Sequence, residues 1–155
     1  MERIMEYSLL GAFLLYLFSS VMFVLGIAGK EVEAEKKEQR ARKWGQRGIT
    51  IATVGAGLQL LFIIMRIIVG GHFPTSNLFE FTAFLCFAIV LAFIIIFFIY
   101  RNVVLGAFVM PLAVVLLAYA SVFPTEVQPL IPALKSHWLY IHVTLAAIGQ
   151  GAFAV

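Results

Sequence analysis

Charge and cysteine are what this chain has least of. Only 12% of its 155 residues are charged, about half the share of a soluble domain. Cys86 is the only cysteine, which excludes an intrachain disulfide and any Cys-x-x-Cys pair. Lying inside an apolar run, it reads as a small packing residue. No phosphate-binding loop, nucleophile elbow or paired-carboxylate site is present. The glycine pairs Gly55-x-Gly57 and Gly149-x-Gly151 follow no strand, so they read as helix-packing positions rather than nucleotide loops.

What is there is hydrocarbon. The chain is 63% hydrophobic with a mean hydropathy of +1.02. Five apolar runs approach the length needed to cross roughly 30 Å of bilayer core. They cover about 6–29, 49–69, 78–100, 103–121 and 138–155. The expectation is an all-α, polytopic transmembrane bundle forming one membrane domain over 1–155, with no soluble module. The first run is too long for a signal-peptide core and lacks a basic leader, so it reads as a retained span. The fifth ends at Val155 without a polar or basic flank, and the chain is therefore expected to belong to a longer polytopic protein.

The formal charge of +3 does not point to nucleic acid, because seven of the eleven basic residues fall in one loop, 30–48. Glu33 and Lys37, and Glu38 and Arg42, are i,i+4 pairs in the favourable order, so the first helix is expected to run on into water. Anionic lipid headgroups are the other reading of this basic segment. Arg101 lies on the same side, whereas the opposite side carries only Arg3 and Lys135. By the positive-inside rule the N-terminus is outside, the basic loops are cytoplasmic, and all three histidines lie at or near the outer face.

Arg66 is the one charge well inside an apolar run. About a turn from the outer end of the second span, it is expected to snorkel towards headgroups; as a planar fork it also suits a carboxylate. In the outer loop 70–77, two glycines and Pro74 interrupt the helix. Asn77 then caps the third span, with Glu80 at capping-box spacing and within reach of Arg66. The phenylalanine-rich third span suits either a wall for a planar ligand or a lipid-facing surface. Arg101-Asn102 leaves so little loop that the third and fourth spans form a tight hairpin. Pro111 is expected to kink the fourth.

Ahead of the fifth run, Pro129 and Pro132 keep the second outer loop, 122–137, extended. Ser136 offers an N-cap, and Trp138 and Tyr140 sit at interfacial depth. His137 and His142 are five residues apart, so on one helix they point about 140° from each other and cannot grip one iron. His142 is either a metal ligand or a hydrogen-bond partner of a neighbouring helix. His72 is a loop-fixing residue or a second ligand, and His137 an interfacial one.

Two separated stretches carry a resemblance. Gly71-His-Phe-Pro-Thr-Ser-Asn-Leu-Phe-Glu80 and Pro132-Ala-Leu-Lys-Ser-His-Trp-Leu-Tyr-Ile-His-Val143 resemble the CcsA/ResC family of System II cytochrome c biogenesis, with Phe79 where that family usually has tyrosine. The resemblance covers about 70 to the end, and the first two spans agree only in hydropathy. It implies a multi-pass protein of a bacterial plasma membrane that delivers b-type haem, non-covalently held, to the outer face for attachment to apocytochrome c. It maps an external axial haem ligand onto His142. The partners it implies are a CcsB/ResB-type membrane protein and a thioredoxin-like thiol reductant. His72 as a second ligand and Arg66 as a propionate contact are additions that no family motif supports. The family's tryptophan-rich segment and second external histidine lie further along, so this chain is not expected to complete attachment alone. The competing readings are a non-haem transporter or channel subunit, and a structural subunit of a membrane complex.

Overall fold

The computed structural model describes residues 2–28, 34–73, 77–125 and 137–155, the side chains of Glu2, His137, Leu139 and Tyr140 excepted. Five helices are described: α1 Glu2–Ile27, α2 Ala34–Gly70, α3 Leu78–Tyr100, α4 Val103–Ala120 and α5 His137–Phe153. The first four are long and apolar enough to cross a bilayer, and α5 contributes a shorter apolar stretch, Ile141–Phe153. The protein is an all-α, multi-pass membrane bundle.

One boundary differs from expectation. From Ala34 on the charged segment is helical and belongs to α2, whereas α1 ends at Ile27. The 37 residues of α2 span about 55 Å, well beyond one hydrocarbon core. The basic half therefore stands outside the bilayer as a continuation of the second span. Ala, Glu, Lys, Gln and Arg are strong helix formers and nothing in 34–48 is a proline, so the helix has no reason to stop at the membrane surface.

Close approach between α1 and α2 depends on small residues. An added Cβ at Gly55 would stand 2.8 Å from the Tyr16 ring, and one at Gly48 would stand 2.8 Å from Phe23. Ser19 donates to the Gly48 carbonyl at 2.8 Å. A deeper polar link ties three helices together: the Tyr16 hydroxyl donates to Gln59 Oε1 at 2.6 Å, and Gln59 Nε2 donates to the Ala83 carbonyl at 3.0 Å. Within hydrocarbon, such side-chain bonds replace water that the lipid cannot supply.

The aromatic residues of α3 divide between core and surface. Phe79, Phe84, Phe93 and Phe97 are buried, whereas Phe98 and Tyr100 are exposed. Phe23 of α1 meets Phe93 and Phe97 edge-on at 5.5 and 5.7 Å, so much of the aromatic wall is bundle core. Cys86 is fully buried, its thiol 3.4 Å from the Ala113 carbonyl. The α3–α4 hairpin is as tight as its two-residue link requires. Arg101 closes α3 in the left-handed region (φ 55°), and Asn102 caps α4 by accepting from the Val104 amide. Helix α4 runs through Pro111 as one element.

Of each spaced glycine pair, only one member packs. Gly55 faces Tyr16 and Gly151 faces the Ala88 backbone, while Gly57 and Gly149 meet nothing within 4 Å. Residues two apart on a helix are about 200° apart, so they cannot both face one neighbour.

At the start of α3, Asn77 is extended and its side chain accepts from the Glu80 amide at 2.8 Å. Asn77→Ala is expected to lower stability by about 1 kcal/mol, the usual worth of a side-chain N-cap. A thermal melt of the detergent-solubilised protein reads it, and an unchanged midpoint would mean that the cap contributes nothing.

Candidate functional site

The candidate residues lie where α2 ends, α3 begins and α5 enters. Arg66 does not snorkel. Its side chain turns inward, 4% exposed, and meets Glu80, 1% exposed, with Arg66 Nε donating to Glu80 Oε1 at 2.9 Å. The guanidinium also lies 5.3 Å from the Phe79 ring centre, and Phe79 stands edge-on to Phe62 at 6.0 Å. Bringing a carboxylate within reach costs less than leaving the charge in hydrocarbon. The Asn77 cap fixes the first turn of α3 and so aims Glu80 at α2.

Beyond Arg66, α2 ends at Gly70, and Gly71 takes φ +66° while its amide donates to the Ile67 carbonyl at 2.9 Å. This left-handed step turns the chain towards His72, which is half-buried. His72 Nδ1 lies 2.9 Å from the Phe73 carbonyl. A carbonyl oxygen only accepts, so in this contact Nδ1 is the donor. Phe73 in turn packs edge-on against Phe84 of α3 at 5.1 Å, anchoring the loop.

Helix α5 packs on α3. Ala147 is fully buried, and a Cβ on Gly151 would stand 3.0 Å from the backbone of Ala88. These two residues, four apart, define the inner face of α5. His142 precedes Ala147 by five residues, about 140° round the helix, and is exposed. Its neighbours on that side, Trp138, Ile141, Leu145 and Ile148, are exposed too. The result is an apolar ridge carrying one imidazole.

The fold thus joins Arg66 to Glu80 and sets His142 on a different helix face. Among the described residues no group of three or more His, Cys, Asp or Glu gathers as a metal site. Ser136, Pro129 and Pro132 lie outside the described residues. The Tyr16–Gln59–Ala83 link went unanticipated, although a lone glutamine in an apolar run is the signal that would have found it.

Comparison with known proteins gives consistent results. Over 96 residues the chain is 40% identical to the cytochrome c biogenesis protein CcsA of Chlorella vulgaris, covering 59% of this chain and 30% of that protein. Over 106 residues it is 34% identical to CcsA of Trieres chinensis, covering 65% and 34%. Over 145 residues it is 30% identical to CcsA of Synechococcus sp. (strain CC9311), covering 91% and 45%. The chain therefore spans between about a third and a half of the length of these relatives. No family model and no solved structure matches it. Over the region it shares with these relatives, the chain belongs to the CcsA family of cytochrome c biogenesis proteins.

Proposed function

We propose that the chain handles haem during cytochrome c biogenesis, offering it at the outer face of a bacterial plasma membrane for attachment to apocytochrome c. The observation that carries this is His142, an exposed imidazole on an apolar face one and a half turns into α5. Kinship with CcsA supplies the pathway, and the basic α2 extension with Arg101 supports a cytoplasmic location for that end.

In this reading His142 would hold the iron of b-type haem through a ring nitrogen, with Ile141 and Leu145 as apolar neighbours that would keep water away. Haem, when bound, supplies the redox-active iron and the vinyl groups that become thioethers. His72 would be the secondary candidate for a further iron ligand. Arg66 is the secondary candidate for a propionate, but its first commitment is to Glu80, so the reading does not depend on it. A CcsB/ResB-type membrane protein and a thioredoxin-like reductant complete the proposed assembly.

The test is the reduced-haem absorbance of the complete gene product, purified as wild type and as His142→Ala. The expected outcome is loss of most bound haem, or a shifted spectrum, with partial recovery in added imidazole. Unchanged haem content and an unchanged spectrum would remove His142 from the ligand role.

A further inference from the structure

At the opposite end of the bundle lies a cleft that haem handling does not use. It has a volume of about 550 Å³, and α2 lines it on one side with Glu38, Ala41, Arg42 and Gln46. The α3–α4 hairpin lines the other with Phe97, Arg101, Asn102, Val103 and Val104. The size is that of a small-molecule site.

Its chemistry is divided. Two guanidiniums come from separate elements, Arg42 from the cytoplasmic part of α2 and Arg101 from the hairpin. Glu38 is the one acid in the lining. Among the described residues neither guanidinium has a carboxylate partner, in contrast to Arg66 with Glu80. Arg101 is held in place: its backbone is fixed at φ 55° by the helix end, and its guanidinium lies 5.5 Å from the Phe98 ring centre. The other wall, formed by Phe97, Val103 and Val104, is apolar. It continues outward through Phe98, Ile99 and Val104, all half or more exposed, at the depth where the hairpin leaves the hydrocarbon.

We propose that this cleft binds the phosphate headgroup of an acidic phospholipid, with Arg42 and Arg101 on the phosphate and the acyl chains running along the exposed face of α3 and α4. A guanidinium matches phosphate oxygens in geometry as well as charge, and the cleft is lined by two arginines. The apolar wall separates this ligand from a free phosphate, which would gain nothing from Phe97 or Val104. Bound this way, the lipid ties the cytoplasmic half of α2 to the hairpin and sets the height of the bundle in the membrane.

The experiment measures phosphatidylglycerol retained by the complete gene product after detergent purification, read by native mass spectrometry. Arg42→Gln with Arg101→Asn is the test variant, asparagine being chosen because it tolerates the left-handed backbone of the cap. Lys43→Gln with Arg47→Gln is the control, removing equal charge from the adjacent surface of α2. The test variant is expected to bind the lipid roughly 20-fold more weakly, following the usual contribution of a basic residue at an anionic surface. The control should change little, and Arg42→Lys with Arg101→Lys should retain part of the binding. Inorganic phosphate should not displace the lipid. Equal losses in test and control would reduce the effect to diffuse loop charge and overturn the proposal, as would unchanged retention or displacement by phosphate.

Discussion

Glu80→Gln is expected to destabilise the bundle by about 3 kcal/mol, because it leaves the Arg66 guanidinium buried without its counter-charge. Glutamine keeps the shape and the acceptor oxygen that Arg66 Nε meets at 2.9 Å, so the loss isolates charge from packing. The Phe79 ring beneath the guanidinium offsets only part of it, since a cation over an aromatic face is worth about 1–2 kcal/mol when desolvated. Arg66→Met should cost less than Glu80→Gln. An orphaned carboxylate can take up a proton, whereas a guanidinium cannot lose one. The double variant Arg66→Met/Glu80→Leu is expected to lie close to wild type, as apolar replacements of buried pairs often do. Unfolding free energies in mixed detergent–SDS micelles measure all three. A Glu80→Gln protein as stable as wild type would mean that water or headgroups reach Arg66, contrary to its 4% exposure.

That pair also marks where local sequence stops being informative. The sequence leaves two directions open for Arg66: snorkelling, from its place one turn from a helix end, and a pair with Glu80, which the structure shows. Its actual direction depends on a carboxylate fourteen residues on, delivered by a capped helix start. The cap itself was legible, because Asn77 and Glu80 are local to each other. So was the α3–α4 hairpin, whose two-residue link permits only one arrangement. The start of α2 differs for another reason: i,i+4 charge pairs indicate that the charged segment is helical but not which span it continues, and from Ala34 on it is continuous with α2. His142 is intermediate. Its depth could be read from Trp138 and the loop before it. Its outward direction depends on Ala147 and Gly151 meeting α3, a small-residue pair whose partner no local pattern names.

The tightest junction in the core sets the other large effect. Phe23 is fully buried, with an added Cβ on Gly106 of α4 placed 2.5 Å from its ring and one on Gly48 of α2 placed 2.8 Å away. One side chain thus fills the space left open by two glycines and meets two further rings of α3. Phe→Ala in a water-soluble core typically costs about 3–5 kcal/mol, part of it transfer energy and part the cavity. Lipid tails are as apolar as the core, so much of the transfer part is absent here. What remains is the cavity and two edge-on ring contacts, each worth about 0.5–1.5 kcal/mol, and Phe23→Ala is expected to cost about 2–3 kcal/mol. Gly106→Ala alone should also destabilise, by about 1–3 kcal/mol, because its methyl drives into the Phe23 ring. In the Phe23→Ala background the same methyl enters vacated space, and its effect should fall to nothing or reverse sign. The coupling is read from the four unfolding free energies of that cycle. Additive costs would mean that Phe23 and Gly106 do not share the contact, and that α1 and α4 approach each other less closely than this ring between two glycines requires.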